Sequence, residues 1–193
     1  MTKGRMEAFS DGVLAIIITI MVLEMKVPHG SQWSDLQPML PKFISYLLSF
    51  VNVAIYWNNH HHMLHAAHKI NGTVLWTNTH LLFWLSLFPF VTGWMGENNF
   101  TTRPVALYGV ISLMAGVAYY LLAKNLTTLH GRSSEFANAL GNDKKGKLSL
   151  VIYALGIGLS FFEPYIGLAL YFLVAVMWFV PDKRFESKEA SEN

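Results

Sequence analysis

Six times in 193 residues the sequence stays apolar for the length needed to cross a lipid bilayer. A helix spanning hydrocarbon needs about 20 consecutive, mostly apolar residues, because no water is available there to satisfy an exposed backbone. The six segments run over approximately 8–27, 40–64, 73–95, 104–124, 147–163 and 165–181. The fifth is short and glycine-spaced, and Pro164 separates it from the sixth, so this pair predicts a tight helical hairpin. The expected fold is therefore all-α: an integral membrane protein with six transmembrane helices in one domain over 1–193. A charged tail over 182–193 follows the last span.

Composition narrows the function classes. Charged residues make up 13% of the chain, against about 25% in an ordinary soluble domain. With 53% hydrophobic residues, a disordered chain and a typical soluble enzyme are both excluded. The absence of cysteine removes disulfides, zinc–thiolate sites and cysteine nucleophiles. A scattered net charge of +2 does not suit a nucleic-acid partner. The first segment is expected to be a retained helix rather than a cleaved leader, since Asp11 sits near its start and no small-residue cleavage site follows.

Loop charge predicts the orientation. Six spans place both termini on one side of the membrane. With the N-terminus inside, 11 of the 14 basic residues are cytoplasmic, and only Lys26, Lys42 and Arg103 are outside. The excess of interior Lys and Arg predicts N-in, C-in. Trp33, Trp94 and Trp178 lie near span ends, where interfacial tryptophans collect. The Gly156/Gly158 and Ser160 stretch suits close helix packing.

Polar groups inside spans are costly and mark candidate sites. The densest set is Arg5-Met6-Glu7-Ala8-Phe9-Ser10-Asp11. One reading is a helix start, with Ser10 or Asp11 as cap and the acid favoured by the helix dipole. The other is a resemblance. Arg-x-x-x-Phe-Ser-Asp ahead of a long aliphatic run, then Trp57-Asn58-Asn59-His60, then Trp76-Thr77-Asn78 with Pro89-Phe90-Val91-Thr92, resembles the transmembrane-175 family of potassium channels. The motifs cover the first three segments in order; the last three agree in hydropathy and length.

The resemblance implies a homotetramer in the plasma membrane of a prokaryote, one repeat per subunit, passive K+ conduction and no cofactor. It implies a central pore lined by the first helix of each subunit, without a carbonyl filter. Consistently, no Thr-Val-Gly-Tyr-Gly segment is present and Tyr108-Gly109 stands alone. It places the main hydrophobic constriction five residues after the motif aspartate, at Ile16. Ile16, Thr19, Ile20, Leu23 and Val27 share one helical stripe, while Val13, Ile17 and Met21 lie on opposite faces. Because the helix is apolar all round, periodicity does not choose which face meets the pore.

A ring of isoleucines that excludes water closes a pore, and stripping hydration penalises Na+ more than K+. Leu23 and Ile20 are secondary constrictions. Thr19 has two readings: partial replacement of lost hydration, or a hydrogen bond back to its own helix. Glu24 at the outer end either concentrates cations at the mouth or reaches the interface, pairing with Lys26 or Lys42. Ser10 and Asp11 at membrane depth require partners. The candidates are Trp57, His60 and Asn78, with Arg5 and Phe9 beside them, in a network that stabilises the pore helix.

Two rivals are set against the channel. A secondary transporter of cations or small solutes calls for a mid-bilayer charge and broken helices, yet no charge lies between Asp11 and Glu24 and only Pro89 interrupts a span. A histidine-ligated membrane metalloenzyme calls for several separated histidine boxes. His61, His65 and His68 fall on one helical stripe, but His29, His80 and His130 are isolated. The cluster from His60 to His68 reads more simply as a polar helix end that complements the C-terminal dipole. No enzyme and no metal site is expected.

Overall fold

The computed structural model describes residues 2–131, 134, 136–137 and 143–179. The described residues are helical with short connections. In chain order they form α1 (Lys3–Leu23), a 3-10 helix (Trp33–Met39), α2 (Leu40–His65), α3 (Gly72–Ser86), α4 (Phe88–Glu97), α5 (Thr102–His130), α6 (Lys144–Ser160) and α7 (Pro164–Phe179). Among the described residues four stretches are long and apolar enough to cross a membrane: Lys3–Leu23, Trp33–His65, Gly72–Glu97 and Thr102–His130. Helices α6 and α7 have 17 and 16 residues, about 25 Å at 1.5 Å per residue, a little under the hydrocarbon thickness.

Local sequence explains the breaks. The third span is two helices because the chain turns at Leu87, and Pro89 falls in the first turn of α4, where its missing N–H costs no hydrogen bond. Pro164 opens α7 in the same way. Helices α1 and α5 outrun their hydropathy limits where charge tops them. Helix α1 begins at Lys3 rather than 8, and α5 runs to His130 rather than 124. Hydropathy detects the apolar middle, whereas the hydrogen-bonded helix continues into water on charged side chains. The tail expected over 182–193 lies outside the described residues.

Helix α5 is the hub, packed against α3, α4, α6 and α7, while α1 lies on α2, α3 and α4. Two contacts depend on glycine. A Cβ on Gly96 would stand 2.7 Å from the Lys42 Cα, so α2 and α4 cross nearly backbone to backbone. A Cβ on Gly167 would stand 2.8 Å from the Gly156 carbonyl oxygen and 2.9 Å from the Ser160 Cβ, which closes the α6–α7 hairpin. Gly158, grouped with Gly156 by sequence, faces open space and takes no part.

Candidate ion pathway and its polar support

Helix α1 is apolar all round, but its two faces have different surroundings. Met6, Ser10, Leu14, Ile17 and Met21 form a buried stripe. On the other side Phe9, Ile16, Ile20 and Leu23 are 55%, 58%, 40% and 78% exposed. Large aliphatic side chains left open in a single chain mark a surface that another apolar surface, lipid or protein, must cover. Ile16 and Leu23 are seven residues apart, about 10 Å along the helix. The Thr19 hydroxyl donates to the Ile16 carbonyl at 2.9 Å, three residues back rather than four. That bond disposes of the proton and leaves the oxygen lone pairs free to accept.

The buried stripe carries the polar attachment. Since α1 starts at Lys3, Ser10 and Asp11 lie two turns inside it, and neither caps the helix. Ser10 donates to the Met6 carbonyl at 2.8 Å and accepts from the Asn78 amide at 3.0 Å. The Asn78 carbonyl oxygen lies 2.7 Å from His60 Nε2. Since the Asn78 amide nitrogen faces Ser10, its oxygen faces the imidazole, and His60 therefore carries its proton on Nε2. Ser10, His60 and Asn78 are all buried, so α1, α2 and α3 are joined by a relay shielded from competing water.

The remaining motif residues separate from that relay. Asp11 is exposed and accepts from the Trp57 indole at 3.0 Å. Trp57 in turn stacks on His61, with ring centroids 6.0 Å apart. Arg5 is exposed and Phe9 half-exposed, and neither side chain has a hydrogen bond among the described residues. At the other end, Lys42 pairs with Glu97 at 3.1 Å and not with Glu24. Glu24, Lys42 and Glu97 line a cavity of about 460 Å³ among α1, α2 and α4.

A second polar chain went unrecognised in the sequence. The Thr92 hydroxyl donates to Ser49 Oγ at 2.6 Å. Ser49 and the Asn52 amide both donate to the Tyr108 hydroxyl, at 3.3 and 2.9 Å. All four residues are buried. The signal was available in the spacing of Ser45, Ser49 and Asn52, a polar i, i+4, i+7 stripe inside an apolar span. The chain fastens α2 to α4 and α5, behind the helix that α1 rests on.

The histidines do not assemble as sequence spacing suggested. Helix α2 ends at His65, so His68 leaves the stripe of His61 and His65 and lies instead against His130, centroids 6.3 Å apart. Among the described residues no three His, Asp or Glu side chains gather in a metal-binding group. Trp33 stands exposed, as an interfacial residue would, whereas Trp178 turns inward and donates to Ser149 at 2.8 Å.

Comparison with known proteins places this architecture. The family described as endosomal/lysosomal potassium channel TMEM175 matches residues 5–89, which include α1, α2, α3 and the start of α4. A potassium channel from Chryseobacterium sp. (strain P1-3) is 53% identical over 193 residues, covering 100% of both chains. The chain belongs to the TMEM175 family. A crystal structure of a lysosomal potassium-selective channel TMEM175 homolog from Chamaesiphon minutus superposes with a TM-score of 0.79 at 27% identity, over 92% of this chain and 96% of that one. The human endosomal/lysosomal proton channel TMEM175 is 33% identical over 91 residues, 41% of this chain and 18% of the human one. Membership of the TMEM175 family, a family of channels, decides against the transporter and metalloenzyme readings. The TMEM175 match begins at Arg5, so it contains the whole buried stripe of α1 and both of its attachments, Asn78 and Trp57.

Proposed function

We propose that this chain is the subunit of a K+-selective channel whose ion path is lined by the exposed stripe of α1. The observation that carries the reading is the division of α1 into a buried face held by Ser10 and an open face of Ile16, Ile20 and Leu23. The names borne by the Chryseobacterium and Chamaesiphon relatives support it. In this reading four copies surround one axis, with both termini in the cytoplasm and the assembly in the plasma membrane of a prokaryote. Burying the stripe at the axis gives the exposed isoleucines and leucine a partner, each other, that a single chain lacks.

The chemistry is then one of dehydration. Rings of Ile16 and Leu23 about 10 Å apart, with Ile20 as a further constriction between them, bracket the hydroxyl ring of Thr19. An aliphatic ring offers no ligand, so an ion passes it only by shedding water, and the smaller, more tightly hydrated Na+ is penalised more. Thr19 oxygens one turn outward return part of that lost coordination to K+, their protons being parked on Ile16 carbonyls. Glu24, with no ion pair among the described residues, supplies negative charge at the outer mouth.

The test is a tracer-flux assay on proteoliposomes. K+ and Cs+ enter faster than Na+ in the wild type. Glu24→Gln lowers K+ flux at low ionic strength, by about twofold, and the loss fades as salt screens the mouth. Equal Na+ and K+ uptake contradicts the proposed selectivity.

A further inference from the structure

His130 is the last residue of α5, and both of its ring nitrogens are engaged. Nδ1 lies 2.8 Å from the Leu126 carbonyl, one turn back. A carbonyl only accepts, so Nδ1 carries the proton and Nε2 presents its lone pair. Nε2 accepts from the backbone N–H of His68 at 3.0 Å and from that of Lys69 at 3.3 Å. Those two amides belong to the 66–71 connection between α2 and α3, and they have no other acceptor among the described residues. Phe136 stacks on the ring, centroids 5.3 Å apart at 26°, and fixes its plane. One neutral imidazole, held in one tautomer, fastens the α2–α3 connection to the end of α5.

The attachment depends on the charge of the ring. A protonated imidazole donates from both nitrogens and accepts at neither. A proton on Nε2 would set one N–H against two others, so the ring and the connection must part. Histidine is the side chain whose charge changes between about pH 5 and 8. The partial negative charge at the C-terminus of α5 favours the proton and the two amides oppose it, so ring state and connection are coupled. The titratable groups facing the ring from the connection are His68, centroid 6.3 Å away, and Lys69. Among the described residues no carboxylate pairs with His130, so a cationic ring gains no ion pair there.

The connection has leverage on the candidate ion path. It joins His60 of α2 to Asn78 of α3, the relay that holds Ser10 of α1. Lys3 of α1 donates to the carbonyl of His65, the residue just before the connection, at 3.4 Å. We propose that His130 is a pH-sensitive latch. With its ring neutral it holds the 66–71 connection on α5; protonation at Nε2 releases the connection and lowers K+ flux. The effect on flux rests on the channel reading, whereas the release itself does not.

The experiment compares about pH 7.5 with about pH 5.5. Amide hydrogen exchange of the 66–71 segment is followed on the full chain in lipid nanodiscs, corrected for the pH dependence of the chemical step, and K+ flux is followed in proteoliposomes. In the wild type, protection of the segment falls about tenfold on acidification. K+ flux falls by about half. His130→Gln offers an amide oxygen to the same two N–H groups and does not titrate, so protection and flux stay high at both pH values. His130→Ala leaves the segment unprotected at both. Should the alanine variant fail to fold, the glutamine variant alone carries the test. His68→Gln keeps the wild-type response. Equal protection of the wild-type segment at both pH values overturns the proposal. So does a full response in His130→Gln, or its loss in His68→Gln. Release on acidification with K+ flux unchanged overturns the coupling to the ion path. The expected exchange pattern with no K+ flux at either pH would instead contradict the channel reading and leave the latch standing.

Discussion

Ile16→Asn collapses the discrimination between K+ and Na+. Four asparagine side chains at the narrowest ring bring amide oxygens and nitrogens to a place where the wild type offers only methyl and methylene groups. An ion then exchanges water for amide oxygen instead of passing bare, and the extra cost borne by Na+ disappears. The expected change is a fall in the K+/Na+ flux ratio of about tenfold or more, equivalent to about 1.4 kcal/mol of lost discrimination. Total cation flux rises, because the polar ring stays wet. The substitution is structurally mild within the subunit, since Ile16 is 58% exposed there and is not one of the buried core residues. A flux ratio unchanged from wild type removes Ile16 from the selective step.

Asn78→Leu produces the largest loss of stability. Asn78 is the middle of the buried relay, donating to Ser10 and accepting from His60. Ser10 keeps its bond to the Met6 carbonyl, so its loss is one acceptor contact. His60 is left with a buried N–H and no partner. An interhelical hydrogen bond in a membrane protein contributes about 0.6 kcal/mol on average. An orphaned buried donor costs about 1–3 kcal/mol. The orphan dominates, and the expected destabilisation is about 2 kcal/mol, a drop of about 5 °C in thermal midpoint. K+ flux falls because α1 loses its anchor to α3, while the K+/Na+ ratio of the surviving channels persists because Ile16 is unchanged. Thermal unfolding of the purified variant reads the first effect and tracer flux the second. A midpoint within a degree of wild type contradicts the structural role given to the relay.

Sequence alone reached the helical architecture and the neighbourhood of the candidate site for one physical reason. Lipid forbids unsatisfied backbone and taxes every polar side chain, so spans and exceptions both stand out. Ser10, Asp11, Trp57, His60 and Asn78 were conspicuous on those grounds, and the structure joins all five in one chain and one pair: Ser10 with Asn78 and His60, Asp11 with Trp57. Arg5 and Phe9 were grouped with them by adjacency in the chain, yet α1 directs both outward.

What sequence could not give was the third dimension of an evenly apolar helix. Ile16 and Ile17 are neighbours of identical chemistry, one exposed and one buried, and only packing distinguishes them. The Thr92–Ser49–Tyr108 chain was legible only in part: the polar stripe on α2 showed in its spacing, but the partners of Ser49 lie 43 and 59 residues away and look isolated in the sequence. The break at Leu87 was visible as Pro89, but not that it would divide one span into two helices.

The central claim is that the exposed stripe of α1 faces the permeating ion. The natural sequence contains no cysteine, so a single engineered thiol has no background. The most direct measurement is block of K+ flux by Ag+ in Leu23→Cys and Thr19→Cys, beside Ile17→Cys on the buried face. Rapid block at positions 19 and 23, with no effect at 17 or in the cysteine-free parent, is the predicted result. Persistent flux through Leu23→Cys and Thr19→Cys channels whose thiols are shown to be fully modified would place the ion path elsewhere.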